Sequence, residues 1–204
     1  MVLTKTFGNI IESGLISMIM KNWIAGIHAA DFKKPMPILS FPAIQLMGIT
    51  VEELISSSEK QAEGMRRVAE RTDAAASVSM MDLSVEAEAF ASTIRISKDE
   101  VPTVIGRIVT TPEDAHALAV PDVFAGRTGL YIEAIRQAKQ QITNCPVFAG
   151  VIGPFSLAGR LMDVSEIMIS CYEDPDMVHE VLGKVTQFIT AYTLAYREAG
   201  AEAW

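Results

Sequence analysis

The feature that most constrains the fold of this chain is a run of small and apolar residues at positions 74–79 (Ala-Ala-Ala-Ser-Val-Ser). A strand of this composition is typical of a parallel sheet that is covered on both faces. The first charge after the run is Asp82, and Glu86 and Glu88 follow it. Ligands of parallel α/β proteins bind where strands end, so Asp82 is a candidate site residue. The alternative is a helix N-cap, which is a frequent role of aspartate.

Strand and helix patterns alternate in the first half of the chain. Residues 36–44 are predicted to form a strand that ends near a proline, and residues 74–81 form the next strand. Between them, Thr50 and Glu53 match a capping box, which predicts the start of a helix. That helix is predicted to end near residues 72–73, and its buried stripe comprises Leu54, Ala62, Met65, Val68 and Ala69.

The same alternation continues in the second half. Residues 92–96 and 102–109 are predicted to pair as a hairpin, and Thr111 before Pro112 starts a short helix. A loop at 120–129, a helix at 130–142 and a strand at 146–152 come next. Helices are predicted at 156–162 and 164–172, and a last helix begins after Asp174 and ends before Gly200. This order of elements is that of an α/β protein with a parallel sheet.

Two segments resemble the uroporphyrinogen decarboxylase superfamily. Residues 80–83 (Met-Met-Asp-Leu) resemble the turn after the second barrel strand, and residues 85–89 (Val-Glu-Ala-Glu-Ala) are closest to the branch of corrinoid-dependent methyltransferases that act on coenzyme M or similar thiols. Residues 146–158 (Pro-Val-Phe-Ala-Gly-Val-Ile-Gly-Pro-Phe-Ser-Leu-Ala) resemble the third strand and its Gly-Pro-Phe-Thr-Leu-Ala turn. The resemblance runs from Pro35 to the C-terminus.

The resemblance implies a fold: α/β, the N-terminal part of a TIM (β/α)8 barrel, with about three β/α units. The 204 residues are fewer than the ~250 of a complete barrel. Residues 1–204 are therefore expected to form one incomplete barrel domain, with 1–35 as a helical lead-in. The end of the chain resembles the helix and turn before the fourth strand, which is expected to be missing. An unclosed barrel leaves a bare strand edge, so we expect aggregation, a homodimer, or pairing with a complementary C-terminal fragment.

Composition excludes several classes of function. The formal charge of −8 argues against nucleic acid as a partner, because phosphate binding needs clustered Lys and Arg. The one basic cluster, Arg66, Arg67 and Arg71, is interpreted as a solvated helix face. The apolar run at 7–27 contains Glu12 and Lys21, so no stretch of ~18 uncharged residues exists for a membrane span, and an amphipathic or buried helix is expected. The two isolated cysteines and the lack of a signal peptide fit the cytoplasm.

Two departures separate this chain from the decarboxylases that it resembles. Those enzymes have an Arg-Gln-Ala-Gly-Arg run after the first strand, whose arginines hold substrate carboxylates by paired hydrogen bonds. The corresponding residues 41–48 (Phe-Pro-Ala-Ile-Gln-Leu-Met-Gly) contain no arginine. The decarboxylases also have a tyrosine where this chain has Arg160. Both departures favour the methyltransferase branch.

The predicted site combines the two segments. The resemblance implies that Asp82 is the catalytic residue, because a fixed anion in a partly dry pocket stabilises developing positive charge. The predicted substrate-binding residues are Gln45, Glu86, Glu88, Gly153, Pro154, Phe155 and Arg160. Glu86 and Glu88 could instead lie in a polar loop with only one of them facing inward. Arg160 could bind an anionic group or form a salt bridge with Asp163.

The resemblance implies zinc, which lowers the pKa of a thiol, and a methylcorrinoid that donates the methyl group. The zinc ligands of the branch, a His-x-Cys pair and a later cysteine, lie in the second half of the barrel. We therefore expect no metal ligands in this chain. Its histidines (His28, His116, His179) are interpreted as surface or packing residues, Cys145 opens the third strand at the wrong end, and Cys171 lies on a helix.

Three functions remain open. The first is methyl transfer from a methylcorrinoid to a small-molecule thiol such as coenzyme M, with a corrinoid or a corrinoid protein as partner and without nucleic acid or membrane. The second is a uroporphyrinogen decarboxylase-like lyase. The third is a non-catalytic truncated or corrinoid-binding fragment.

Overall fold

The computed structural model describes residues 20–38 and 41–203, and the chain divides into two compact units, Met1–Lys33 and Lys34–Trp204. In the first unit, helix α1 (Met20–Ala29) has no buried residue. The Nζ of Lys33 donates to the carbonyl oxygens of Ile27, His28 and Ala30, which lie at the end of this helix. The predicted helix is thus confirmed for residues 20–27, where it is not buried, and residues 7–19 lie outside the described part.

The second unit contains the remaining elements. Its helices are α2 (Pro42–Met47), α3 (Val51–Ile55), α4 (Ser58–Thr72), α5 (Val85–Ala89), α6 (Pro112–Ala117), α7 (Thr128–Gln141), α8 (Pro154–Met162), α9 (Val164–Glu173) and α10 (Pro175–Glu198). Its strands are β1 (Ser77–Val78), β2 (Thr93–Arg95), β3 (Thr103–Ile105) and β4 (Val147–Phe148). Among the described residues, no helix is both long and apolar enough to cross a bilayer.

The parallel sheet that positions the site is short. Strands β1 and β4 pair in parallel, with Ser77 opposite Val147 and Val78 opposite Phe148. The other edge of β4 pairs in parallel with Ala203. This single bridge comes after the helix and turn that the resemblance places before the fourth strand, and residues 202–203 bond to β4 where such a strand would begin.

The hairpin lies apart from this sheet. Strands β2 and β3 pair antiparallel, with Ile94 opposite Val104, as the sequence predicts for this insertion. It separates α5 from α6 and α7 in the chain, and so lengthens the connection between β1 and β4.

Local signals place most helices correctly. Capping boxes form at Thr50 with Glu53 and at Thr111 with Asp114, where in each case the hydroxyl accepts the N3 amide and the carboxylate accepts the N-cap amide. The side chain of Asp174 caps α10 by accepting the Met177 amide. Each motif satisfies amides that the first helical turn leaves unpaired.

The core lies between the helices and the covered face of the sheet. The predicted stripe of α3 and α4 is buried along its whole length, and α4 packs against α2 and α7. In the same core the rings of Phe90 and Phe188 pack edge to face, with their centroids 5.2 Å apart. The basic residues of α4 lie on its outer face, where Arg66 and Arg67 pair with Glu63, as predicted for a solvated face.

The predicted strand at 36–44 is wrong. Residues 42–47 form α2, with Pro42 at its first position, where the fixed φ of proline suits a helix. The Pro35 carbonyl does accept the Ala75 amide at 2.8 Å, so extended backbone next to β1 lies earlier in the chain than predicted. The other predicted strands, 74–81 and 146–152, contain regular pairing only at β1 and β4.

Two helix boundaries also differ from the prediction. The helix after Thr50 breaks between α3 and α4, because Ser57 starts a new helix by accepting the Lys60 amide. The helix predicted at 130–142 begins at Thr128, so that Arg127 is its N-cap residue instead of part of a loop.

Candidate active site

The segments that leave β1 and β4 stay side by side beyond the strands. The Ser79 amide donates to the Phe148 carbonyl at 2.9 Å, and the Gly150 amide donates to the Ser79 hydroxyl at 2.8 Å. The carboxyl ends of the two parallel strands therefore bring residues 80–90 and 149–155 together. These are the segments that the sequence predicts to form the site.

Asp82 is buried, with 3% of its surface exposed. Its Oδ1 accepts the Ser84 amide at 2.9 Å and the Ser84 hydroxyl at 2.6 Å. Its Oδ2 accepts the Tyr131 hydroxyl at 2.9 Å and Nη1 of Arg127 at 2.5 Å. Aspartate commonly bonds a backbone amide two residues on in turns of this kind, and Ser84, not Asp82, is the N-cap residue of α5.

Arg127 is the partner that sequence reasoning missed. It is 8% exposed and bridges the segment after β1 to the start of α7. Besides Asp82, its guanidinium donates from Nε to Glu88 at 2.6 Å and from Nη2 to the Ser84 hydroxyl at 3.0 Å. The one signal for it in the sequence is that Arg127 is the only basic residue of the predicted loop at 120–129. Its importance follows from the structure, where buried Asp82 needs a counter-charge.

The backbone next to Arg127 is adapted to this contact. Gly126 has φ +59, a conformation that L side chains rarely adopt, and a Cβ there would lie 3.1 Å from Cγ of Glu88. Glycine therefore lets the loop pass close enough to α5 for Arg127 to reach Glu88.

Glu86 has a different environment. It is 3% exposed, and its Oε1 accepts the Ile152 amide at 3.2 Å. Its Oε2 is buried and has no hydrogen-bond partner among the described residues. Burial, and secondarily the charge of Asp82, raise the pKa of Glu86 to about 7. Glu86 and Glu88 thus lie on a helix rather than in a polar loop, and Glu86 is the more deeply buried of the two.

Buried tyrosines complete the surroundings. The hydroxyls of Tyr192 and Tyr196, both on α10, lie 2.6 Å apart. Burial is the main cause that raises the pKa of Tyr131, Tyr192 and Tyr196, and the nearby Glu86 contributes for the α10 pair. The hydroxyls are therefore neutral hydrogen-bonding groups at physiological pH.

The turn between β4 and α8 lies next to Glu86, whose carboxylate accepts the Ile152 amide. Gly153 is the N-cap residue of α8, and no side chain among the described residues caps this helix. A Cβ at Gly153 would meet nothing within 4 Å, and Phe155 is 44% exposed. The first turn of α8 therefore presents backbone amides beside open space and an apolar ring.

Two predicted site residues lie elsewhere. Gln45 is exposed on α2, without a hydrogen bond to the residues around Asp82. Arg160 is in the last turn of α8, so six residues of helix, ~9 Å, separate it from Pro154. The salt bridge of Arg160 with Asp163 does not form, because the Asp163 carboxylate instead caps α9 by accepting the Ser165 amide at 2.8 Å.

The described residues contain no group of three or more His, Cys, Asp or Glu that could hold a metal ion. His28, His116 and His179 are exposed, as interpreted from the sequence. Cys171 is exposed on α9, and Cys145 is partly buried, with a pKa that burial raises. What the site offers is one fully bonded carboxylate, one carboxyl group with an unused oxygen, and an uncapped helix start.

Comparison with known proteins shows which family the sequence matches. The family profile described as uroporphyrinogen decarboxylase (URO-D) matches residues 36–204. A uroporphyrinogen decarboxylase from Chlorobium chlorochromatii is 32% identical over 102 residues, which is 47% of this chain and 29% of that protein. A methylcobamide:CoM methyltransferase from Methanosarcina acetivorans is 30% identical over 123 residues, 59% of this chain and 36% of that protein. The chain spans about a third of the length of these relatives.

A solved structure shares the fold. A methyltransferase from Methanosarcina mazei superposes with a TM-score of 0.74 at 23% identity, over 89% of this chain and 56% of the other. The expectation of α/β architecture, the N-terminal part of a TIM barrel, is confirmed by this match.

Proposed function

Because the chain belongs to the uroporphyrinogen decarboxylase family, we propose that it is part of an enzyme that moves a methyl group from a methylcorrinoid to a thiol such as coenzyme M. The similar proteins include both decarboxylases and methyltransferases, so similarity alone does not distinguish these two activities. The finer choice rests on the residues of the site.

The observation that carries the proposal is the state of Asp82. As a decarboxylase residue it would have to accept pyrrole N–H groups of the substrate, which requires free carboxylate oxygens. Here both oxygens are occupied, by Ser84 on one side and by Arg127 and Tyr131 on the other. In addition, α2 carries no arginine to hold the carboxylates of a porphyrinogen. Both features favour methyl transfer.

The metal that the resemblance implies has no place among the described residues, since none of them form a suitable cluster. In this proposal the zinc ligands are the His-x-Cys pair and later cysteine that the resemblance places in the second half of the barrel, and the present sequence contains no such pair. The described residues contribute a buried cluster of polar side chains at the strand ends and the exposed first turn of α8. A corrinoid or corrinoid protein and a small thiol are the proposed partners.

The test uses the complete product of the gene that encodes this chain. We expect it to consume methylcobalamin, followed by the change in its visible absorbance, and to form methyl-coenzyme M, identified by mass spectrometry. Decarboxylation of uroporphyrinogen without methyl transfer would overturn the proposal. A product that binds cobalamin and transfers nothing would identify the corrinoid-binding fragment.

Decarboxylation is the second candidate. It is favoured by the 32% identity with the Chlorobium chlorochromatii enzyme over 102 residues. For it to hold, Arg127 would have to release Asp82 when substrate binds. A crystal structure with a bound porphyrin in which Asp82 contacts the macrocycle would establish that release.

A further inference from the structure

The outer face of α9 is apolar although it faces solvent. Within this helix, all of which the structure describes, Ile167 is the only buried residue. Four large apolar side chains are instead exposed by 50% to 91%: Val164, Met168, Ile169 and Tyr172. Soluble monomers rarely expose several neighbouring apolar side chains, and a patch of this kind typically marks an interaction site.

The exposed side chains lie together on one side of the helix. Residues four apart in an α-helix are neighbours on its surface, so Val164, Met168 and Tyr172 follow one another over about 12 Å. Ile169 lies beside them. Ile167 lies on the other side, where α9 packs against α8 and α10. The four exposed residues form what we call the α9 stripe.

The charges around the α9 stripe are negative. Residues 161–183 contain no Lys or Arg. Asp163 and Asp174 cap α9 and α10, and Glu166 pairs with Arg107 of the connection after the hairpin. The acidic residues next to the stripe are Asp163, Glu166, Glu173, Asp174 and Asp176.

Two of these carboxylates lack a cation. Glu173 and Asp176 form no ion pair within the described part of the chain. Glu173 is the last residue of α9, where the helix already carries partial negative charge and where its last turn has no basic residue. A carboxylate in this position is unfavourable for the helix by itself. A cation supplied by another molecule would remove this disadvantage.

Apolar and acidic groups together define what can cover the stripe. A second copy would bring its own carboxylates to the same place, and like charges across an interface oppose association. A stable dimer also takes ~20–30 residues from each copy, and the stripe offers four on two helical turns. An anionic lipid surface would be repelled in the same way. An apolar helix face flanked by Lys or Arg meets both requirements.

We propose that the α9 stripe is a docking site for a partner protein that presents an amphipathic helix, with lysines or arginines beside its apolar face. Its apolar side chains pack on Met168 and Tyr172, and its cations pair with Glu173 and Asp176. The stripe shares no residue with the cluster around Asp82. The docking site therefore does not depend on the proposed function.

The first measurement asks whether the stripe is free in the complete product of the gene. Cys171 is exposed on α9 next to Tyr172 and therefore reports on this face. We expect N-ethylmaleimide to alkylate Cys171 of the native monomer about as fast as in urea, read from the mass of the peptide that contains it. Protection in the monomer would mean that another part of the chain covers the stripe. Protection that disappears on dilution would mean that a second copy does. Either result would overturn the proposal.

The second measurement uses a defined probe in place of the partner. The probe is a synthetic helix of about 18 residues, long enough to be helical in water, with leucines on one face and lysines beside them. Its control has glutamates in place of the lysines. We expect fluorescence anisotropy to show binding of the lysine peptide alone. At a concentration about ten times its Kd, this peptide should slow the alkylation of Cys171 about tenfold.

Variants separate the apolar part of the site from the charged part. Met168→Ala, at the centre of the stripe, should weaken binding of the lysine peptide about tenfold, because a large apolar side chain is no longer buried. Glu173→Gln should weaken it a few-fold and make it less sensitive to salt. Leu194→Ala removes an exposed apolar side chain of α10 and is the matched control, which should bind like the parent. Circular dichroism melts check that each variant is folded.

Three further results would contradict the docking site. The first is no binding of the lysine peptide. The second is equal binding of both peptides, which would remove the role of the carboxylates. The third is unchanged binding by Met168→Ala, which would show that the peptide is attracted by the net charge of −8 and not by the stripe. Binding lost in Met168→Ala and kept in Leu194→Ala supports the proposal, whatever the methyl transfer assay shows.

Discussion

Asp82 and Glu86 lie four residues apart and are equally buried, yet their carboxyl groups are in opposite situations. Asp82 has an arginine, a tyrosine and a serine around it, and every position for an acceptor bond is used. Glu86 has one backbone amide and an unused oxygen. The comparison teaches that equal burial does not mean equal hydrogen bonding: one carboxyl group uses every acceptor position, and the other keeps an unpaired oxygen.

The largest effect is expected from removing the counter-charge of Asp82. Arg127→Met should lower the free energy of unfolding by ~3–5 kcal/mol, since breaking a buried ion pair leaves an unpaired charge. Urea denaturation followed by circular dichroism measures it. Adding Asp82→Asn should recover part of the loss, because the unpaired charge disappears. Arg107→Met, which removes an exposed pair with Glu166, is the control and should change stability by less than ~1 kcal/mol. An equally small effect of Arg127→Met would break the comparison.

The second prediction concerns the other carboxyl group. The raised pKa means that the folded chain holds the Glu86 proton more tightly than the unfolded chain, whose value is near 4.5. The stabilisation is complete below that pH and is lost as the pH rises through about 7. Relative to Glu86→Gln, the parent should therefore lose ~3 kcal/mol of unfolding free energy between pH 5 and pH 8.

Denaturation curves of both proteins across this pH range give the difference directly, and changes that are common to both cancel. Parallel curves would mean that Glu86 is ionised throughout, which would remove the contrast with Asp82.

A smaller effect should come from Tyr131. Tyr131→Phe removes one hydrogen bond to a charged acceptor and should destabilise the fold by ~2 kcal/mol. The pH dependence that Glu86 produces should remain, since its main cause is burial. Thermal melts at pH 5 and pH 8 test both statements. A loss of the pH dependence in this variant would contradict burial as the main cause of the raised pKa of Glu86.

The smallest effect concerns the end of the helix that carries Glu86 and Glu88. Ala91 is exposed and adopts φ 67, which is unfavourable for a residue with a Cβ. Ala91→Gly should raise the free energy of unfolding by ~0.5–1 kcal/mol, without an effect on either carboxyl group. The same exchange at Ala191, which is exposed inside α10, should lower it by a similar amount. A destabilised Ala91→Gly variant would contradict the strained backbone at this position.

Local sequence signals predicted the helices well, because their cause lies within a few residues. Thr50 with Glu53, Thr111 with Asp114, and Asp174 before Pro175 all satisfy amides of the helix that they begin. The segment at 36–44 was misread because a short apolar run fits a strand and a buried helix equally well. Pro42, a residue favoured at the first helical position, was the better guide.

The site was predictable only in part. The sequence predicted that the two segments meet, and the structure places Asp82, Glu86 and Gly153 at the strand ends; their roles stay predictions. Arg127 was not, because it lies 45 residues from Asp82 in the chain and no local pattern links the two. Whether a carboxyl group is fully bonded depends on such distant partners, and periodicity and capping rules do not contain them.

The pairing of β4 has a consequence for the order of folding. The backbone hydrogen bonds that hold this sheet together join residues 69 positions apart (Ser79 with Phe148) and 55 positions apart (Val147 with Glu202), whereas each helix forms from neighbours. Closing such long loops is slow, since the entropy is lost before any contact forms. The individual helices, such as α4 and α7, are therefore expected to form first, and the strands are expected to pair last. The strand ends, and the turn with Glu86, would then be the last part of this chain to reach its native geometry.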